Sequence, residues 1–477
     1  MEAEPVNMRK KIMYAAGAAA VLLAVPPAVM ALVHTQKSVP AGLSVTGDFH
    51  VSDVELLQDI TYEKDGETVH EQEIMDSVLK VIEKAEDHIV ADMFLFNGEY
   101  NPAYDFPDLS GELAGALAAK KRENPEMEIV VLTDPINTGY DTYEAEALAS
   151  MDEAGVDVIY TDLSELRDSN PLYSGWWRSY LQWWEPGENG ILPNPFSPEA
   201  PDFTVPSYAS LLNFKANHRK VVLSEKEAVV STGNPHDASA WHSNTAIHIE
   251  GPVVDDLLAS EKAAASFSGE AIEAEAEPAE SRTSGPEVRL ITEGGIREAL
   301  LEEINEAENG DVVWMGMFYL SDRGVIGALK EAEAGGADVR LILDPNKDAF
   351  GREKAGIPNR QTAAELMEAG VEVRWYNTQG EQYHTKTTFI QRGETSSTIT
   401  GSSNLTRRNL QDYNLETNLH VKTEEGAGFS EEMESYFTRL WENEGGLYTV
   451  DSSVYEDDSL WKYWLYRFQE ASGLSTF

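Results

Sequence analysis

The hydrophobic pattern of the chain describes an α/β unit that occurs twice. Amphipathic, helix-period segments alternate with short apolar runs, of which IVVL at 129–132 and VRLIL at 339–343 are the clearest. Such runs between amphipathic helices are typical of strands in a sheet that is covered on both faces. The pattern therefore predicts an α/β fold made of two similar α/β/α sandwich halves that pack together.

An insertion interrupts the repeat in the first half. Asp134 and Asp344 are matching positions 210 residues apart, whereas the matching His218 and His384 are only 166 residues apart. The first half therefore holds extra residues between these points, and we place the insertion at 163–212.

The insertion is rich in tryptophan, with Trp176, Trp177, Trp183 and Trp184 close together. Two compatible interpretations fit this stretch. It forms a packed lid over the cleft, or it is a surface that contacts lipid, since Trp is favoured at membrane interfaces. A second aromatic segment, Leu460–Phe468, is predicted to be a C-terminal helix that docks on the protein rather than on the membrane.

The N-terminus predicts a membrane anchor. An uncharged stretch at 12–33 is long enough to cross a bilayer, and the basic residues Arg9, Lys10 and Lys11 precede it. The positive-inside rule then places residues 1–11 in the cytoplasm and the bulk of the chain outside. The alternative is a signal peptide cleaved near Ala31, which would also export the protein.

The remaining boundaries follow from composition. The segment 269–286 is acidic, contains Pro and Gly, and has no apolar period, so we predict a linker there. The linker separates a first half at 50–268 from a second half at 287–477, which includes the aromatic C-terminal helix.

The charge of the chain limits its partners. It has 36 basic and 83 acidic residues, and its net charge is -47. Acidic residues spread along the whole chain are typical of the solvated surface of a protein in high salt, and they repel a nucleic-acid backbone. We therefore expect no nucleic-acid partner, and no obligate protein partner is evident. Cysteine is absent, which excludes disulfides and thiolate metal sites.

Two short segments of similar build carry the candidate chemistry. Each begins His-x-Lys, at His218 and at His384, and a glycine follows in each, at Gly233 and Gly401. His can act as nucleophile or general acid near neutral pH, while Lys, Asn and Ser can neutralise phosphate oxygens in the transition state. The pair predicts attack on a phosphodiester. Neither a metal nor a cofactor is required if a histidine attacks first.

The duplicated segments, the Gly-Ser-x-Asn from Gly401 and the triplet Asn414-Leu415-Glu416 resemble the phospholipase D superfamily. Together with the membrane segment, they look most like bacterial cardiolipin synthases. The resemblance implies two phospholipase D-like halves and a two-step reaction, in which one His forms a phosphohistidine and the other protonates the leaving alcohol. It implies catalytic roles for His218, Lys220, His384, Lys386, Asn404 and Glu416, and phosphate binding by Ser402, Asn234 and His236.

The first half departs from the family motif. Where Gly-Ser-x-Asn is expected, the chain reads Gly-Asn-Pro-His from Gly233. Asn234 and His236 are therefore expected to donate hydrogen bonds in an altered site.

The orienting carboxylate is expected on one side of the site. Ala246 stands where the first half should have the counterpart of Glu416. His218 is thus expected to lack a carboxylate partner unless Glu250 or another acid supplies one. Because a carboxylate raises the imidazole pKa and suits a proton donor, His384 is expected to be the acid and His218 the nucleophile.

The resemblance thus implies a membrane-anchored phosphatidyltransferase or phosphodiesterase that acts on phospholipids at the outer face of the cell membrane. Cardiolipin synthesis is the best single interpretation. A catalytically degraded lipid-binding or scaffold protein is the first alternative. An exported nuclease is the second, and the acidic surface disfavours it.

Overall fold

Two β-sheets, one from each half of the repeat, form the centre of the structure. The computed structural model describes residues 5–99, 104–197, 200–276, 282–349 and 352–475. Residues 1–4, at the start of the predicted cytoplasmic segment, and 277–281, within the predicted linker, lie outside this description.

The first half follows the predicted alternation of strands and helices. Its elements in chain order are α1 (Pro5–Thr35), β1 (His50–Val51), β2 (Asp53–Lys64), β3 (Glu67–Glu71), α2 (Ile74–Lys84), β4 (His88–Met93), α3 (Leu109–Glu123), β5 (Glu128–Thr133), α4 (Glu146–Glu153), β6 (Asp157–Tyr160), α5 (Pro171–Trp176), α6 (Val205–Leu211), β7 (Lys220–Ser224), β8 (Glu227–Ser231), β9 (Asn244–Glu250) and α7 (Val253–Phe267). A π-helical segment, Trp177–Leu181, continues α5.

The second half repeats the same order. Its elements are β10 (Glu287–Thr292), α8 (Gly294–Asn305), β11 (Val312–Met317), α9 (Arg323–Gly335), β12 (Asp338–Leu343), β13 (Asp348–Ala349), β14 (Arg352–Glu353), α10 (Asn359–Met367), β15 (Glu372–Tyr376), β16 (Lys386–Arg392), β17 (Thr395–Gly401), α11 (Arg407–Leu410), β18 (Thr417–Glu424), α12 (Gly428–Glu442), β19 (Thr449–Asp451) and α13 (Leu460–Ser472).

The sheets have corresponding topologies. The first runs β3-β2-β9-β8-β7-β4-β5-β6, and the second runs β1-β10-β18-β17-β16-β11-β12-β15-β19. In each, a parallel ladder (β4 with β5, β11 with β12) adjoins an antiparallel hairpin (β7 with β8, β16 with β17). β1 belongs to the second sheet although it precedes the first half, because it pairs with β10.

Helices cover both faces of each sheet. Apolar residues of α2, α3 and α4 pack on the outer face of the first sheet, and those of α8, α9 and α10 pack on the outer face of the second. Leu257 of α7 and Phe437 of α12 belong to a core shared by the inner faces of both sheets. Ile272 and Ala274 of the predicted linker are also buried in this core. The predicted fold class is confirmed: two α/β/α halves packed together, preceded by an apolar helix.

The N-terminal helix α1 is long and apolar enough to cross a membrane over Lys10–Thr35, and most of that stretch is exposed. The Trp-rich insertion packs along its C-terminal half. The Tyr180 hydroxyl donates to the Leu22 carbonyl at 2.7 Å, and the Asp168 amide donates to the His34 carbonyl at 3.1 Å. The insertion therefore contacts the apolar helix both near its middle and at its C-terminal end.

Candidate active site

The two candidate histidines lie where the halves meet. His218 and His384 each stand two residues before a hairpin strand, β7 or β16. The His218 amide donates to the Leu415 carbonyl at 2.9 Å, and the His384 amide donates to the Ser243 carbonyl at 2.8 Å. Each histidine backbone is thus bonded to the opposite half, and this exchange brings both rings to one site.

The surroundings of the two rings correspond closely. Lys220 Nζ donates to the carbonyl of its own His218 at 2.7 Å, and Lys386 Nζ does the same with His384 at 2.8 Å. Both ammonium groups are buried beside the rings. Lysine donors at these positions can stabilise the oxygens of a phosphate group between the halves.

A buried carboxylate fixes the backbone before each histidine. Asp134 accepts from the Asn217 amide and Asp344 accepts from the Tyr383 amide, each at 2.8 Å. Burial raises the pKa of Asp134 to about 7 and that of Asp344 to about 6. These aspartates, at the ends of β5 and β12, therefore position the catalytic strands.

Glu416 contacts His218 and not His384. Its carboxylate lies 3.0 Å from His218 Nδ1 and also accepts from the Ser402 hydroxyl and the Asn409 amide. His218 was expected to lack a carboxylate unless Glu250 or another acid supplied one, and the acid that supplies it is Glu416. The acid comes from the other half, because β18 delivers it across the interface.

Asn244 is the partner of the second histidine. His384 Nδ1 lies 3.1 Å from Asn244 Oδ1. Asn244 stands directly after Ser243, which bonds the His384 backbone, just as Glu416 stands directly after Leu415. The structural counterpart of Glu416 is therefore Asn244, and the assignment to Ala246 is wrong by two residues.

The same register correction applies to the first motif. The Thr232 hydroxyl accepts from the Thr245 amide at 3.0 Å, just as the Ser402 hydroxyl accepts from the Thr417 amide at 2.9 Å. Thr232 therefore corresponds to Ser402. The first motif reads Ser-Thr-Gly-Asn and ends at Asn234.

The corrected register leaves the first motif intact. Asn234 takes the place of Asn404, and both side chains line the cavity described below. Thr232 takes the place of Ser402 and was missed from the sequence. Alignment on the shared asparagine, rather than on the shared glycine, would have found it.

A cavity of about 470 Å³ joins these groups. The sequence-predicted residues His218, His384, Asn234, Asn404 and His236 line it. The insertion contributes a wall through Asn194, Pro195, Phe196 and Leu211, so part of it lies over the cleft.

The charge of this cavity is opposite to that of the chain. Its charged lining side chains are Lys215, Lys354 and Arg408 against a single acid, Glu99. The lysines of the two motifs lie beside the histidines, and burial lowers the pKa of both. Lys215 pairs with the buried Asp168 at 2.7 Å, whereas the buried Arg408 guanidinium donates to the Gly473 and Ser475 carbonyls. A cationic cavity in a strongly acidic protein selects an anionic ligand.

Burial determines the protonation of the histidines. It lowers the pKa of His218 to about 4, although Glu416 opposes the change. Burial, with the charge of Lys386, lowers the pKa of His384 well below its usual value. Burial also lowers the pKa of Lys220 to about 7. Both rings are therefore neutral at pH 7, and a bound anion between them would raise their pKa.

A group of three possible metal ligands lies away from the cavity. Glu227, His248 and Glu250 offer ligand atoms within 4.8 Å of one another. Lys84 already pairs with Glu227 at 3.0 Å, and His248 Nε2 bonds the same carboxylate at 2.8 Å. Glu227 is the first residue of β8, next to the hairpin turn, whereas the catalytic motif follows the last residue of this strand. The cluster is therefore separate from the active site.

Comparison with known proteins agrees with this geometry. Residues 300–441 match the family model described as cardiolipin synthase, PLD-like domain. No curated protein sequence matches the chain.

Solved structures resemble the chain to different degrees. Phosphatidylserine synthase of Haemophilus influenzae Rd KW20 is 10% identical, with a TM-score of 0.58, covering 90% of this chain and 96% of that chain. Polyphosphate kinase of Porphyromonas gingivalis is 14% identical, with a TM-score of 0.44, covering 88% and 53%. The phospholipase D family member Nuc of Salmonella typhimurium is 19% identical, with a TM-score of 0.27, covering 34% and 97%. At these identities the first likeness shows the fold alone.

Proposed function

The chain is a member of the phospholipase D superfamily, and we propose that it is a phosphatidyltransferase or phosphodiesterase that acts on phospholipids through a phosphohistidine. One observation carries the proposal. Two matching His-Asn pairs, one from each half, line a single cavity whose charged side chains are mostly cationic, in a chain whose net charge is -47. Transfer of a phosphatidyl group to a second lipid, as in cardiolipin synthesis, is the form we favour.

His218 is the proposed nucleophile. The hydrogen bond from its Nδ1 to Glu416 leaves the lone pair on Nε2, facing away from the carboxylate. Attack by Nε2 forms a P–N bond and places positive charge on the ring, which Glu416 stabilises. The sequence pattern predicted this role for His218 because the carboxylate was expected beside His384. We propose the same role for the opposite reason, since the carboxylate lies beside His218.

His384 is the proposed acid. Its partner Asn244 is neutral, so the ring can exchange a proton without breaking an ion pair. Binding of the phosphodiester favours protonation of His384, which gives its proton to the leaving alkoxide as the P–O bond breaks. In the second step the acceptor hydroxyl returns a proton to His384, attacks phosphorus and releases His218.

The side chains around the phosphate stabilise the transition state. Lys220, Lys386, Asn234 and Asn404 come in matching pairs around the two rings, and each can donate to an equatorial oxygen. Ser402 instead donates to Glu416 and so acts as a positioning residue. His236 lines the cavity beside Asn234 and can contact the bound head group.

Phospholipid as substrate is supported by the apolar helix and by the size of the cavity. About 470 Å³ lies within the range for small-molecule sites, so it can hold a head group and phosphate but not two acyl chains. An anchor at α1 would keep the site beside a bilayer and raise the local lipid concentration. With residues 1–11 in the cytoplasm, the halves and the cavity lie on the outer face.

The test is product analysis by mass spectrometry of lipid extracts from phosphatidylglycerol vesicles that contain the full-length protein. Cardiolipin and free glycerol are expected from the native chain and from His50→Ala, a histidine in β1 outside the site. His218→Ala and His384→Ala should each abolish them. Phosphatidate instead of cardiolipin would make water the acceptor.

Three outcomes would overturn the proposal. Turnover that survives in both active-site variants would exclude the two-histidine mechanism. Vesicle binding without product from any donor lipid would support a scaffold. Cleavage of DNA by the native chain, falling as salt rises, would support a nuclease.

A further inference from the structure

The C-terminal helix α13 exposes apolar side chains, whereas a surface helix of a water-soluble protein normally exposes polar ones. Its exposed side chains are all apolar: Leu460, Trp461, Trp464, Leu465, Phe468 and Ala471. At about 100° per residue, these positions fall within one arc of about 140°. A continuous exposed stripe of this kind marks a contact with a partner or a membrane.

The opposite side of α13 is docked on the second half. Tyr466 is buried against Phe318 and Tyr319, which line the cavity. Glu470 is also buried and accepts from the Ser321 hydroxyl at 2.7 Å and from the Arg407 amide at 3.1 Å. The prediction that the aromatic segment docks on the protein therefore describes one face, and the stripe is the other.

Basic side chains lie at the edges of the stripe. Lys462 and Arg467 are half-buried, and at about 100° per residue they fall beyond opposite ends of the exposed arc. Lys462 pairs with Asp457 at 2.6 Å, and Arg467 donates to the Tyr463 hydroxyl at 3.0 Å. Long basic side chains beside an apolar stripe can reach lipid phosphates while their stems cover apolar surface.

The helix ends beside the exit of the proposed anchor. The Gly473 backbone packs so closely on the Ser169 carbonyl that a Cβ would not fit. The neighbouring Asp168 bonds the His34 carbonyl, at the C-terminal end of α1. The C-terminal end of α13 therefore lies close to the place where the chain would leave the bilayer.

We propose that the exposed stripe of α13 binds the surface of a phospholipid bilayer as an interfacial helix, in addition to the anchor α1. Two of its six positions are Trp, the residue favoured at the boundary between water and hydrocarbon. A second copy of the chain is the alternative occupant, and the labelling experiment below distinguishes it from a bilayer. The helix holds the Phe318–Tyr319 wall of the cavity near the lipid.

The chain contains no cysteine, so single labels can be placed without background. We would introduce Trp464→Cys or Phe468→Cys in the full-length protein, attach a nitroxide, and reconstitute it in vesicles of phosphatidylcholine and phosphatidylglycerol. Glu394→Cys, on the exposed turn between β16 and β17, is the matched control. It lies eight residues from Lys386, or about 26 Å along the strand.

The readout is collision of the nitroxide with oxygen, which enters lipid, and with a nickel chelate, which stays in water. We expect both stripe labels to favour oxygen and the Glu394 label to favour nickel. Equal nickel access at all three positions would overturn the proposal. So would dipolar coupling between stripe labels of two molecules, since a second copy would then cover the stripe. Thermal denaturation of each labelled variant checks folding, and no turnover is needed, so the result is independent of the proposed function.

Discussion

The substitution Glu416→Gln tests the contact that joins the two halves of the site. The native carboxylate accepts from His218, Ser402 and Asn409. Glutamine keeps the shape of the side chain but has no charge. Its NH2 group is a donor and must face one of the three donors, so one hydrogen bond is lost. The expected result is a loss of turnover with a small change in KM, because the charge matters most when the His218 ring becomes positive.

The magnitude follows from the hydrogen bond. A bond to a charged group contributes about 1.5–3 kcal/mol and one between neutral groups about 0.5–1.5 kcal/mol, while an unsatisfied buried donor costs about 1–3 kcal/mol. A net loss of about 1–3 kcal/mol in the transition state lowers kcat by about 5- to 150-fold. The assay is the initial rate of product formation in phosphatidylglycerol vesicles.

Two further variants make the result interpretable. Glu424→Gln makes the same change at the exposed end of β18 and should leave kcat unaltered. Glu416→Asp keeps the charge and should retain more activity than Glu416→Gln. A native rate in Glu416→Gln, with an unchanged thermal midpoint, would refute the role of the carboxylate.

Other predictions concern the partners of the two rings. Asn244→Asp places a carboxylate beside His384 and should raise its pKa; because His384 must be protonated to act as the acid, the alkaline limb of the pH–rate profile should move upward, and an unmoved profile would contradict the contact. Asn234→Ala and Asn404→Ala should each lower kcat by about 100-fold, and a silent Asn234→Ala would refute the corrected register. Burial lowers the pKa of His236 to about 4 from 6.5 in the unfolded chain. As pH falls from 6.5 to 4, only the unfolded chain gains this proton, and the free energy of unfolding therefore falls by about 3 kcal/mol. In His236→Asn the thermal midpoint should therefore fall less between pH 6.5 and pH 4 than in the native protein. An equal fall in both proteins would contradict the shifted pKa of His236.

The fold could be predicted from the sequence because its strands are continuous apolar runs. IVVL and VRLIL became β5 and β12, each covered on both faces as the pattern required. Periodicity does not indicate where a short strand joins a distant sheet, and His50–Val51 was therefore placed in the first half although it pairs with β10.

The composition of the site was also predictable, but its pairing was not. The sequence identified His218, His384 and Glu416. The contact between His218 and Glu416 spans 198 positions and joins two halves that the repeat treats as separate. When the motif is read within the second half alone, Glu416 is paired with His384 of the same half rather than with His218.

The register error has a local cause. Strands β7 and β8 have five residues each, whereas β16 and β17 have seven, so the first hairpin is shorter at its turn. Gly401, the last residue of β17, is required because its backbone packs on the Thr417 carbonyl, whereas Gly233 lies two residues beyond the end of β8. An alignment on the two glycines therefore pairs residues that occupy different positions in the two motifs.

The measurement that tests the central claim most directly is the location of the covalent intermediate. The native protein and His384→Ala would be quenched in base during reaction with phosphatidylglycerol, digested and analysed by mass spectrometry. The account predicts a phosphatidyl group on His218 and none in a His218→Ala control. A modified His384, or turnover without any modified histidine, would contradict it.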